Sequence, residues 1–287
     1  MDDPMPPLEN LDAWLLRHAE AVTYVVFFGL FVILAAAEVV VSRSSAPAER
    51  VRRWSTNVVL TVCWIAAGAA LPMTLFGAAA WAGAAGWGLQ NQFDHPIALT
   101  LVLGILARSL VSYAVHVAMH KVPLLWRLHR VHHLDTHLDV STTTRMHPLE
   151  AWASAPLTVA GVVALGIPPT AVLLYEILDA AVVVFTHANI RLPPQIDRAI
   201  GIVFVTPDLH RVHHSALQPD TDSNYGATLS LWDRLFGTYR RRNTEDLATL
   251  RIGLDGATDE RAQHIGWLLA SPWHTISAVP SNGSDHG

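Results

Sequence analysis

Two stretches of this chain are too apolar to lie against water along their whole length. Thr23 to Val41 (TYVVFFGLFVILAAAEVVV) is apolar except for Glu38, and Thr56 to Phe76 (TNVVLTVCWIAAGAALPMTLF) carries no charge. Each has the ~20 residues a helix needs to cross a ~30 Å hydrocarbon layer. Ile97 to Val115 is a third candidate that contains Arg108, and Ala153 to Phe185 is long enough for two short spans around the Gly-Ile-Pro-Pro turn at 166–169. Composition agrees: 51% of residues are hydrophobic and 15% charged, against about 25% charged in an ordinary soluble domain. The expected fold is all-α, an integral membrane bundle of about four spans.

Charge orients such a bundle. The start, MDDPMPPLEN, is acidic and lacks the basic region of a secretory signal, so Thr23 to Val41 is expected to be a retained span. Arg43, Arg50, Arg52 and Arg53 follow it, and short-loop arginines mark the cytoplasmic side. Tracing the spans from there puts the histidine-rich segments, with Lys121, Arg127, Arg130, Arg145, Arg211 and Arg234, on the same side. Gly77 to Pro96 reads as an interfacial segment with Trp81 and Trp87 at headgroup level. Ile265 to Trp273 reads as a surface-lying helix, and the chain from Ala278 onward as a disordered tail. Three regions result: 1–96 with the first spans and the interfacial segment, 97–240 with the histidines and further spans, and 241–287. The net charge of −5 and the absence of a long basic run argue against nucleic acid as a partner.

The pentapeptide HRVHH occurs twice, at 129–133 and 210–214, after an HxxxH box at His116 and His120 and with a lone His187 between the two copies. Residues three or four apart share a helix face, which is how HExxH helices hold zinc. The adjacent pair in HxxHH diverges by roughly 100° around the helix, so one box is able to feed two ions. His116, His120, His129, His132, His133, His187, His210, His213 and His214 make nine imidazoles, too many for one four-coordinate zinc. The single cysteine, Cys63, excludes a thiolate site. Imidazole alone suits iron, zinc, copper and nickel alike. Asn224-Tyr225-Gly226 is a turn signal, and Trp232 and Phe236, four apart, are read as packing residues.

The residues between the boxes narrow the field. HRVHHLDTHLDVSTTTRMHPLE (129–150), HRVHHSALQPDTDSNYG (210–226) and LSLWDRLFGTY (229–239) closely resemble the fatty acid hydroxylase/sterol desaturase superfamily of membrane-bound di-iron oxygenases, over about residues 100 to 240. The resemblance implies two iron ions held by those nine histidines, with zinc able to replace iron on isolation. It also implies O2 as co-substrate, and a hydroxyl or double bond introduced into a lipid or sterol-type substrate. A separate electron donor of ferredoxin, cytochrome b5 or reductase type is implied too. The chain departs from the family in having Ser109 where an Asp is common, Ala114-Val115 before His116, and Val183 where some relatives carry another histidine. His147 is the candidate for a possible tenth ligand. Arg145 and Glu150 are read as an ion pair or as partners that orient ligand imidazoles, with Asp208, Asp135 and Asp139 as further candidates for that role.

Two other functions compete on the same residues. A zinc-dependent membrane lipid hydrolase would use the histidines to activate water and would need neither O2 nor reductant. A metal transporter needs polar groups inside the spans, and only Glu38, Arg108, Glu176 and Asp179 offer them.

Overall fold

The computed structural model describes residues 8–94, 96–256 and 260–276; the expected tail from Ala278 lies outside them. Among the described residues there are helices and three isolated bridges but no strand. The principal helices are α1 (Leu8–Val41), α2 (Arg50–Ala69), α3 (Leu75–Ala84), α4 (Ile97–Lys121), α5 (Pro123–His133), α6 (Pro148–Leu165) and α7 (Pro169–His187), followed by short α8 (Pro194–Ile200) and α9 (Pro207–His213).

Four helical segments are long and apolar enough to cross a membrane: Arg17–Val41, Ile97–Lys121, Pro148–Leu165 and Pro169–His187. The last two flank Gly166, whose positive φ of 64° closes α6, and prolines start both helices, where a missing N–H costs nothing. The expected span from Thr56 to Phe76 is corrected. The helix begins earlier, at Arg50, and ends at Ala69; Pro72 lies in the break, and α3 resumes at Leu75. Its first turns carry Arg53, Thr56 and Asn57 on a buried polar face, so half of α2 serves the histidine region and α2 and α3 together return the chain to the far end. The interfacial reading of Gly77 to Pro96 is corrected in part. Ala78, Ala79 and Ala82 of α3 are buried, Ala79 in a core with Val111, Val162 and Val172, while Trp81 and Trp87 stay exposed with ring centroids 5.7 Å apart.

The arginine loop meets the histidine region directly. Arg43 N–H donates to the Asn189 carbonyl at 2.7 Å, Arg43 pairs with Asp208, and Arg53 pairs with Asp135 and Asp139. Glu38 closes the end of α1 by accepting the Val140 and Asn189 N–H groups. The segment expected as a surface-lying helix forms helix Ile265–Ala270, which docks by one face: Leu268 is fully buried against Leu60, Val131 and Leu134.

Candidate metal centre

Four helices deliver their histidines to one place because each box lies at a helix C-terminus. His116 and His120 occupy the last turns of α4, His187 is the last residue of α7, and the HRVHH boxes end α5 and α9. The nine rings fall into two groups. His116, His120, His129, His133 and His213 form one, and His132, His187, His210 and His214 the other, with ligand atoms in each within 4.8 Å of one another. The repeat in the sequence now has a geometric reason. In the first HRVHH the i, i+4 pair His129/His133 enters the five-histidine group and His132 crosses to the other; in the second, His210/His214 enters the four-histidine group and His213 crosses back. Each pentapeptide therefore ties the two groups together.

Nitrogens face nitrogens inside both groups. Nε2 of His187 lies 3.2 Å from Nε2 of His132 and 2.9 Å from that of His210, which lies 3.1 Å from Nε2 of His214; His116 Nε2 is 3.1 Å from His129 Nε2. A proton cannot satisfy this set. Nδ1 of His187 donates to the Val183 carbonyl at 2.7 Å, so Nε2 of the neutral ring has only a lone pair, and one neutral His210 cannot donate to His187 and also complete its contact with His214. Nε2 of His120, His133 and His213 has no hydrogen-bond partner among the described residues. Two ring nitrogens sharing an ion at the ~2.0–2.1 Å of a metal–imidazole bond lie about 3 Å apart when adjacent in the shell. Burial, reinforced by the neighbouring imidazoles, holds His132, His133, His210 and His214 well below the usual imidazole range and takes His213 down to about 3. The rings are neutral with lone pairs converging, and the donor set fits two metal ions.

The outer nitrogens are held in turn. His129 Nδ1 meets Glu150 Oε1 at 2.7 Å, His116 Nδ1 the Tyr225 carbonyl at 2.6 Å, and His213 Nδ1 the Ser223 carbonyl at 2.7 Å. Such partners fix the tautomer and raise ligand basicity. The last two acceptors are backbone atoms of the Asn-Tyr-Gly turn and of Ser223 just before it; Asp233 clamps the turn, its carboxylate accepting from the N–H groups of Tyr225 and Gly226 at 2.7 and 2.9 Å and from the Thr238 hydroxyl at 2.7 Å. Asn224 takes a φ of 50° there, and a Cβ on Gly226 would stand 2.4 Å from the Leu229 carbonyl oxygen. Ser223, Tyr225 and Asp233 are positioning residues that spacing did not reveal, although the turn and the Trp-Asp motif did mark the segment.

The family model for fatty acid hydroxylases matches residues 101–238. This chain carries a fatty acid hydroxylase domain. The chain is 32% identical over 163 residues to ornithine lipid hydroxylase OlsE of Rhizobium tropici, covering 56% of this chain and 47% of that protein. It is 27% identical over 161 residues to alkylglycerol monooxygenase of Caenorhabditis elegans, covering 55% and 30%, and 29% identical over 174 residues to the human enzyme of that name, covering 58% and 36%. It thus spans less than half the length of these relatives. No solved structure matches it.

Within the hydroxylase domain, several sequence candidates are placed away from the rings. His147 joins neither group: it caps α6, its Nδ1 accepting from the Leu149 N–H at 3.1 Å and its Nε2 meeting the Leu269 carbonyl at 3.1 Å, so no lone pair is free for a tenth ligand. Arg145 does not pair with Glu150. It is fully buried and binds the Val131 carbonyl, Asn57 Oδ1 and the Ala262 carbonyl, holding α5 and the C-terminal segment onto α2. Asp208 faces Arg43 rather than a ring; Asp135 and Asp139 face Arg53. Of the candidates for orienting imidazoles, Glu150 alone touches one. Trp232 and Phe236 do pack: the indole N–H reaches Ser109 Oγ at 2.8 Å and Phe236 stacks on Tyr113.

A cavity of about 380 Å³ opens beside the groups. His116, His129, His132, His187 and His210 line it at the metal end, and Tyr24, Phe27 and Phe28 of α1 with Trp64 and Ile65 of α2 line its apolar side. Tyr24 and Phe28 remain 45% and 43% exposed, on the surface of a helix long enough to face lipid.

Proposed function

We propose that this chain is an O2-dependent di-iron lipid monooxygenase that hydroxylates or desaturates an alkyl or acyl chain drawn from the bilayer. One observation carries the reading: the nine histidines divide into two groups of converging ring nitrogens at the end of a cavity between the helices. The relatives named as a lipid hydroxylase and as alkylglycerol monooxygenases support it. His116, His120, His129, His133 and His213 would hold one iron, and His132, His187, His210 and His214 the other. Two irons, when bound, supply the redox chemistry with O2 that an unactivated C–H bond requires. Glu150 keeps His129 oriented by accepting from Nδ1, and the Tyr225 and Ser223 carbonyls do the same for His116 and His213. The apolar walls exclude water and keep the chain of the substrate against the rings, so a lipid reaches the site without crossing water. The short-loop arginines at the metal end support a cytoplasmic orientation, in which a separate ferredoxin, cytochrome b5 or reductase-type donor would supply electrons.

The test compares lipid extracts of expressing cells grown with and without O2, and of cells carrying His213→Ala. Lipids that gain one oxygen or lose two hydrogens only in the aerobic wild type are expected. Deacylated or dephosphorylated products forming equally without O2 would instead identify a zinc hydrolase using the same histidines.

A further inference from the structure

The cavity has a second polar end that the metal groups do not use. Arg108 on α4 and Glu176 and Asp179 on α7 all line it, three ionisable side chains inside helices that are long and apolar enough to span a bilayer. Charges at that depth are costly and mark binding or transport paths. By helix rise, Arg108 stands about 12 Å before His116, and Asp179 about 12 Å before His187, so these groups lie at one level, well away from the rings.

Their partners are incomplete. Arg108 binds Glu176 Oε1 through Nε at 3.0 Å and Nη2 at 2.7 Å and lies over the Tyr175 ring at 4.9 Å, but its Nη1, buried, has no acceptor among the described residues. Asp179 is held by hydroxyls only, from Tyr175 at 3.0 Å and from Thr228, and makes no ion pair among the described residues. The Arg108–Glu176 pair cancels its own charge. What remains is one carboxylate without a cation and one guanidinium N–H without an acceptor, side by side in a cavity. A buried donor without an acceptor is costly, and a half-buried carboxylate held only by hydroxyls gains from a cation beside it; a ligand that brings an ammonium and a neutral acceptor oxygen meets both needs together.

Resting on the oxygenase reading for the role of the cavity, we propose that Arg108, Glu176 and Asp179 form a recognition site for the polar part of a cationic aminolipid, with the ammonium on Asp179 and Glu176 and a hydroxyl or carbonyl oxygen on Arg108 Nη1. The site selects the substrate by its polar group, while its alkyl chain lies along the apolar wall toward the rings. Free fatty acids are the disfavoured ligands, since their carboxylate would face two carboxylates.

The test is equilibrium binding without turnover, using zinc-loaded full chain in uncharged maltoside micelles. The probes are sphinganine, octadecanol and stearate, which share an eighteen-carbon chain. Sphinganine is expected to bind at least about tenfold more tightly than octadecanol, the equivalent of one charge-assisted hydrogen bond, with stearate weakest. Asp179→Asn, which preserves shape, should remove the sphinganine preference and leave octadecanol unchanged. The double variant Arg108→Met/Glu176→Met removes the pair without stranding either charge and should also lose the preference, with metal content per chain reporting that the fold is intact. Equal binding of the three probes, tightest binding of stearate, or an unchanged preference in Asp179→Asn overturns the site. Because no oxidation is measured, a chain that prefers sphinganine yet oxygenates nothing would sink only the oxygenase reading. A chain that oxygenates lipids with flat binding would sink only this site.

Discussion

At the scale of single residues, the two histidine groups make separable predictions. His133→Ala removes a histidine from the five-histidine group and His210→Ala one from the four-histidine group, so the wild type is expected to hold two ions and each variant one tightly held ion, as elemental analysis of purified protein would measure. His147→Ala should keep both, since its ring is occupied by Leu149 and Leu269; loss of an ion there would reinstate it as a ligand. Glu150→Leu should weaken the five-histidine site by about 10–100-fold, the usual effect of deleting a ligand's acceptor, and Glu150→Gln less, because an amide oxygen still accepts from His129 Nδ1. The ligand candidates were legible because helical spacing is a local property: HxxxH and HxxHH declare a shared face without any knowledge of tertiary structure. Their acceptors were not. Tyr225 and Ser223 act through backbone carbonyls, which carry no side-chain signature, and Arg145 and Asp208 found partners more than eighty residues away in the chain.

Between helices, the docking of α2 decides how firmly the metal region is held. Arg53 is buried with Asp135 and Asp139, and the Arg53 and Thr142 side chains and Asn57 converge on Asp135 Oδ2; the guanidinium beside it keeps Asp135 below the usual carboxylate range despite complete burial. Arg53→Met strands two carboxylates and should cost about 3–5 kcal/mol. Leu268→Ala, in the apolar contact between the C-terminal helix and α2, α5, should cost about 2–5 kcal/mol. Thermal unfolding in a fixed detergent, followed by loss of bound metal, checks both; a change below 1 kcal/mol in either would mean that the contact is dispensable. Here the sequence misled in an instructive way. Apolar counting found the second half of α2 and ran on through Pro72, because hydropathy averages over the one-sided polar face, Arg53, Thr56 and Asn57, that binds the metal region. The docking face of Ile265 to Trp273 was not legible for another reason: Leu60, Val131 and Leu134, which bury Leu268, come from distant parts of the chain.

At the scale of the whole molecule, the traverses fix which parts share a side. The arginine loop, the ends of α1, α4 and α7, the start of α6 and both HRVHH boxes lie at one end, joined by the Arg43–Asp208 and Arg53–Asp135 pairs. The turn around Gly88 packs on Gly166 at the other end of α6, about 24 Å from Glu150 by helix rise. Single cysteines at Ser45, Glu245 and Gln92 in a Cys63→Ser background test this arrangement. All three native side chains are exposed, so access to a membrane-impermeant thiol reagent reports sidedness rather than burial. Ser45 and Glu245 should behave alike and opposite to Gln92: protected in intact cells and labelled after permeabilisation, because the short-loop arginines favour the cytoplasm. Protection of Gln92 together with labelling of the other two would invert the orientation and put the metal end outside, beyond the reach of a cytoplasmic electron donor. Labelling that separates Ser45 from Glu245 would break the structure itself, since Arg43–Asp208 ties the arginine loop to α9, and the helix Thr244–Thr249 that carries Glu245 packs against α9.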